Sequence, residues 1–209
     1  TNCMFNGNSA VFGGGMYNES NSSPTVTNCS FSGNMAPNGS GGGMSNQLSS
    51  NPAVTNCTFS GNSADFNGGG MDNGNSSNPT VTNCILWDNA PTQIVDTSGS
   101  ASVVNYSIVH GGWTGAGGVG NIGANPLLFN PSGVDGVLGT SDDDLRLRPG
   151  SPAIDKGSVL ALPTDTLDLD ENTLLELDGD GNICAITIEH AKDRADIPHF
   201  SFEQVGTLI

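Results

Sequence analysis

Thr27-Asn28-Cys29-Ser30-Phe31-Ser32-Gly33-Asn34 returns as Thr55-Asn56-Cys57-Thr58-Phe59-Ser60-Gly61-Asn62. An earlier copy opens the chain as Thr1-Asn2-Cys3-Met4-Phe5-Asn6-Gly7-Asn8, and a later one reads Thr82-Asn83-Cys84-Ile85-Leu86-Trp87-Asp88-Asn89. The cysteines therefore lie 26, 28 and 27 residues apart. Two further blocks keep the same period. One is Gly13-Gly14-Gly15-Met16, Gly41-Gly42-Gly43-Met44 and Gly68-Gly69-Gly70-Met71; the other is a proline before each internal Thr-Asn-Cys, at Pro24, Pro52 and Pro79. Self-similarity at such a period marks a solenoid whose repeats stack on one another.

The residues inside one period decide which solenoid. Helical repeats need Ala, Leu, Glu and Lys at a 3.6-residue spacing, whereas these units are Asn, Ser, Thr, Gly and Val without a helical stripe. Short β-favouring runs such as Thr25-Val26-Thr27 and Cys29-Ser30-Phe31 are separated by Asn and Gly. Val26 and Cys29 cannot face one side of a straight strand, being three apart, so a bend is required at Asn28, a residue type that tolerates left-handed backbone. Two strands meeting at an Asn corner, once per coil, describe an all-β parallel β-helix with coils of about 27 residues. Stacking at the ordinary strand spacing of about 4.8 Å predicts internal columns. These are Cys3, Cys29, Cys57 and Cys84; Phe5, Phe31, Phe59 and Leu86; and Asn28, Asn56 and Asn83 at the corner. The cysteines read as small core residues, since no histidine shares their spacing.

Further on the repeat shortens. Val103, Asn105, Tyr106 and Ile108 replay Val81, Asn83, Cys84 and Leu86 at a spacing of 22, with tyrosine in place of the ladder cysteine. The chain is read as β-helix repeats over 1–157, with reduced last coils, and a C-terminal cap or tail over 158–209.

Charge is distributed unevenly. The 209 residues carry a formal net charge of −16, with no Lys or Arg before Arg146. Up to residue 134 the acids are Glu19, Asp65, Asp72, Asp88 and Asp96 alone. Such a chain is not a nucleic-acid binder, and it holds no apolar run long enough to insert in a membrane. Asp178, Asp180 and Asn182, with Glu189, fall at positions 1, 3, 5 and 12 of a calcium-loop count, although Ile183 stands where that loop needs glycine. A solvated Asp-Gly turn is the competing reading. Asp142, Asp143 and Asp144 form a second candidate Ca2+ site, because three adjacent carboxylates repel unless a cation or hydrogen bonds relieve them.

The stretch Leu145-Arg146-Leu147-Arg148-Pro149-Gly150-Ser151-Pro152-Ala153-Ile154-Asp155, after Gly139-Thr140-Ser141-Asp142-Asp143-Asp144, resembles the C-terminal part of the bacterial choice-of-anchor Q family. The upstream Asn-Cys-x-Phe and Gly-Gly-Gly-Met blocks are similar to pectin-lyase-like and polymorphic-outer-membrane-protein-type repeats. The resemblance implies a right-handed β-helix on a secreted or surface-displayed bacterial protein. Beyond Gly157 the sequence departs from it. Phe200-Ser201-Phe202-Glu203 is the nearest counterpart of the family's closing strand, so the C-terminal Asp-rich cap is expected to differ.

Two functional classes compete on this fold. One is a non-catalytic extracellular structural or adhesive module, self-associating head to tail through strand addition of the Phe200-to-Val205 stretch onto the Thr1 edge. The other is a polysaccharide lyase or hydrolase, or a glycan-binding module. A lyase of this kind needs a basic residue beside the uronate, and the first 145 residues hold no Lys or Arg. A hydrolase needs a carboxylate pair, and none recurs in a motif. His110-Gly111-Gly112 reads as a turn that weakly echoes hydrolase signatures. The residue pattern favours the structural module, with no catalytic residue assigned.

Overall fold

The structure is a computed structural model describing residues 1–158 and the backbone of two later strands. Three parallel sheets build the β-helix. The first stacks β1 (Met4–Asn6), β4 (Ser30–Ser32), β8 (Thr58–Ser60), β12 (Ile85–Trp87) and β15 (Ile108–Val109) in that order. The second stacks β2 (Met16–Asn18), β6 (Met44–Asn46), β10 (Met71–Asn73) and β13 (Ile94–Asp96). The third stacks β3 (Thr25–Thr27), β7 (Ala53–Thr55), β11 (Thr80–Thr82) and β14 (Val103–Asn105). A minor ladder pairs β5 (Met35–Ala36) with β9 (Ser63–Ala64). The sheet that begins at each glycine-triple Met is one more side than the two-strand repeat predicted. The described residues contain no helix.

Register follows the repeat. Phe5 pairs with Phe31 and Phe31 with Phe59, while Val26 pairs with Val54 and Val54 with Val81. The core is accordingly columnar: Val26, Val54, Val81 and Val104; Cys29, Cys57 and Cys84; Phe31, Phe59 and Leu86; and Met44 and Met71 are all buried. Phe5, Phe31 and Phe59 stack face to face, with centroids 4.6 and 4.4 Å apart. Cys3 is exposed and does not share the burial of the other three. All four are free thiols.

Asparagine corners turn the chain as predicted: Asn28, Asn56 and Asn83 have φ of 52°, 52° and 54°. The amide of Asn56 donates to Asn28 Oδ1 at 3.2 Å, whereas Asn83 turns to the backbone of Ser158. Two longer asparagine ladders lie inside the coil. Asn34, Asn62 and Asn89 are one; Asn18, Asn46 and Asn73, ending on Asp96, are the other. Each amide satisfies a buried backbone or side-chain group of a neighbouring coil, so the interior tolerates these polar columns.

In each glycine triple only the first residue, Gly13, Gly41 or Gly68, has positive φ. The others are small because coils touch there: a Cβ on Gly42 would lie 2.6 Å from the Gly69 carbonyl oxygen.

The fifth coil corrects the spacing of 22. Val104 pairs with Val81 and Ile108 with Ile85, a spacing of 23. The backbone N–H of Cys29 points to Cys57 Sγ, that of Cys57 to Cys84 Sγ, and that of Cys84 to Ser107 Oγ. Ser107 is therefore the ladder residue, and Tyr106, with φ of 47°, takes the asparagine corner. A shift of one residue would have turned Val104 out of the core, and that burial cost fixes the register.

Beyond the fifth coil, β16 (Leu128–Asn130) and β17 (Asp144–Leu147) form an antiparallel pair. Their connection runs back along the coils as a strap. The described chain divides into two units, Thr1–Ala161 and Leu162–Ile209. In the second, β18 (Thr173–Leu177) pairs antiparallel with β19 (Ile183–Ile188).

Candidate functional site

The outer column that begins with Asn6, Ser32 and Ser60 is followed at each coil by a left-handed corner: Gly7, Gly33 and Gly61, with φ of 61°, 58° and 61°. The strap lies on these three corners. A Cβ on Gly33 would sit 2.5 Å from the Leu138 carbonyl, and one on Gly7 2.7 Å from Gly139 O. In the fourth coil the same two positions carry Trp87 and Asp88, and Asp88 keeps the left-handed backbone at φ 55°. Aspartate is among the residue types that tolerate this backbone.

Trp87 and Asp88 organise His110, which follows β15 in the next coil. The imidazole stacks on Trp87 with centroids 4.1 Å apart and 12° between planes. Its Nδ1 lies 3.0 Å from Asp88 Oδ1. The turn read at His110-Gly111-Gly112 is present, closed by Gly112 N–H donating to the Val109 carbonyl at 2.8 Å. Its side chain, however, faces a cleft of about 490 Å3 with Asp88, Asn89, Gln93, Trp113 and Thr114 among the lining residues. Within the lining, Asn89 Nδ2 donates to the Phe59 carbonyl and to Gln93 Oε1. Gln93 Nε2 donates to the Asn89 carbonyl, and Trp113 Nε1 to the Gly117 carbonyl at 2.7 Å.

The acidic triplet is dispersed over separate partners. Asp142 accepts from the Thr140 hydroxyl and the backbone N–H groups of Val134 and Asp135. The hydroxyl first, and then the N–H groups, hold its carboxyl below the usual range. Asp143 Oδ2 accepts from Ser32 Oγ at 2.5 Å and Gly139 N–H at 2.7 Å. Asp144 pairs with Arg146, whose hydrogen bond lowers its carboxyl. Oδ1 of Asp143 and Oδ1 of Asn6 are buried without a hydrogen bond. Among the described residues no three His, Cys, Asp or Glu side chains are grouped to hold a metal ion. Asp178, Asp180, Asn182 and Glu189 lie outside the described residues, as does the Phe200-to-Val205 stretch.

Asp65, Asp72 and Asp96 have protein partners as well. Asp65 caps the Asn38 N–H at 2.7 Å, and Asp96 accepts from Ser102 and Asn73. Asp72 is buried under Gln47, which donates to it at 2.9 Å. Burial pushes its carboxyl up to about 6, against the lowering by Gln47, and nearby Asp96 adds to the rise. Three of the ladder thiols, Cys29, Cys57 and Cys84, are buried. Cys29 is pushed up by its hydrogen bond to Cys57 and then by burial.

Sequence reasoning missed the cleft because a spacing of 22 sets His110 against Asp88, whereas the register of the fifth coil places His110 after Trp87 in the same column, and Trp113 lies beyond the repeated positions. The available signal was the change from Ser60-Gly61 to Trp87-Asp88 at otherwise repeated positions.

A family model described as a right-handed beta helix region matches residues 1–125. No curated protein and no solved structure matched. With the three-sheet parallel coil and its in-register columns, this chain belongs to the right-handed β-helix family.

Proposed function

We propose that the chain is a non-catalytic extracellular adhesive module, a rigid β-helix that holds a polysaccharide in the cleft beside Asp88, His110 and Trp113. The carrying observation is that the fourth coil replaces the repeat's small corner residues by Trp87 and Asp88, and a cleft opens beside them. A flat indole among amides and hydroxyls suits a sugar ring, whose faces are apolar and whose edges are polar. The cleft holds a single carboxylate, whereas glycoside hydrolysis uses two. The resemblance of the Leu145-to-Asp155 stretch to the choice-of-anchor Q family supports a place on the bacterial cell exterior. Calcium is proposed as a structural ion of the acidic loops, and head-to-tail association as the mode of assembly.

A second reading has one observation in its favour. With Nδ1 engaged by Asp88, His110 presents Nε2 as a base, the role a lyase needs. Titrating the protein with neutral, amino and uronate oligosaccharides, and assaying each mixture for unsaturated products and new reducing ends, separates the two. Binding without turnover, weakened by Trp113→Ala, is expected. Steady product formation abolished by His110→Ala would replace the adhesive reading by the lyase or hydrolase one.

A further inference from the structure

The cleft is lined by one carboxylate, that of Asp88, and by no Lys or Arg. Four of the side-chain nitrogens that line it already have a partner within the protein. Asn89 Nδ2 is used by Phe59 and Gln93, Gln93 Nε2 by the Asn89 carbonyl, Trp113 Nε1 by Gly117, and His110 Nδ1 by Asp88. The Asp88–His110 pair leaves Asp88 Oδ2 and His110 Nε2 without a partner among the described residues. In the neutral imidazole, with the Nδ1 proton held by the carboxylate, Nε2 is an acceptor. Trp87 beneath the imidazole and the corner backbone at Asp88 hold both in place. No Lys or Arg occurs in the first 145 residues, so nothing in these coils offsets an anionic ligand.

We propose that the cleft selects a saccharide bearing a free protonated amine, that is, a non-acetylated amino sugar. This rests on the reading of the cleft as a saccharide site. The ammonium donates to Asp88 Oδ2 and His110 Nε2, and the indole of Trp113 adds cation–π attraction. N-acetylation removes both the charge and two of the donors. A uronate presents a second anion to Asp88 and meets no Lys or Arg in the cleft lining.

The test is calorimetric titration of the whole chain with a short glucosamine oligomer, its N-acetylated counterpart and an oligogalacturonate. A polyanionic protein attracts any oligoamine, so two variants remove one carboxylate each. Asp88→Asn keeps a residue type suited to the left-handed corner, and Asp65→Asn removes the same charge elsewhere. An exposed ion pair together with a cation–π contact supports a preference of roughly tenfold for the free amine. That preference should vanish in Asp88→Asn and survive in Asp65→Asn. Equal affinity for the free and acetylated oligomers overturns the amine selectivity and leaves the saccharide reading standing. Tighter binding of the uronate, or a preference that persists in Asp88→Asn, also overturns it. Failure of all three oligomers to bind removes both the selectivity and the saccharide site.

Discussion

Ser32 Oγ donates a 2.5 Å hydrogen bond to Asp143 Oδ2 across 111 residues of chain. Through it the connection between β16 and β17 is fastened to the second coil, with Leu138 and Gly139 resting on the glycine corners. The glycines recur in the sequence for two reasons at once: positive φ, and room for a second backbone.

That contact is testable at Gly33. An added Cβ there is strained by the left-handed backbone and meets the Leu138 carbonyl at 2.5 Å. Gly33→Ala is expected to cost on the order of 2 kcal/mol and to open the strap to protease between residues 133 and 144 while the coils stay folded. Unchanged cleavage kinetics in that segment would mean that the corner does not hold the strap.

The inner asparagine ladder is expected to matter as much as the phenylalanine stack. Asn62 accepts from the N–H and amide of Asn34 and donates to the Phe31 carbonyl and to Asn89. Asn62→Ala strands these groups in the interior and should cost on the order of 3 kcal/mol. Phe59→Ala leaves a cavity and should cost about 3–5 kcal/mol. Denaturant melts compare the two, and a loss below about 1 kcal/mol for Asn62→Ala would show water replacing the amide.

Asp72 should make stability fall as pH rises. Its carboxyl is raised from 3.8 to about 6 by burial, so the folded chain holds a proton that the unfolded chain has released. The contribution is present below the unfolded value and is lost as pH climbs through the folded one. Asp72→Asn removes the buried charge and should melt higher than the parent above pH 6, with the gap closing under acid conditions. Parallel melting curves across that range would contradict the assigned burial.

Calcium is expected to raise the melting temperature, as any ligand specific to the folded state does. Asp143 Oδ1 and Asn6 Oδ1 are the buried oxygens without a partner beneath the strap, so Asp143→Asn should blunt the response if the ion binds there. The double variant Asp178→Ala with Asp180→Ala reports on the other loop. A melting temperature indifferent to calcium and chelator in the parent would dispose of both sites.

The coils themselves were legible in sequence. Stacked coils place identical positions against each other, so the demands on Val26, Cys29, Phe31 and Asn28 reappear at every turn and show as a period. The asparagine corners, the buried thiols and the aromatic column followed from side-chain spacing along one coil. The third sheet was less visible, since Met-Ser-Asn and Met-Asp-Asn carry little β propensity and pair only because the neighbouring coil supplies the ladder. The one-residue slip in the fifth coil arose because Tyr106 resembles a core residue in type, whereas the burial of Val104 and the hydrogen bond from Cys84 to Ser107 decide the register. The strap belongs to tertiary structure alone, whereas the cleft leaves one trace in sequence, the change from Ser60-Gly61 to Trp87-Asp88. His110 meets Asp88, and Asp143 meets Ser32, only after the coils have stacked and the chain has turned back over them. Contacts at such separations leave no periodic trace, because each is made once.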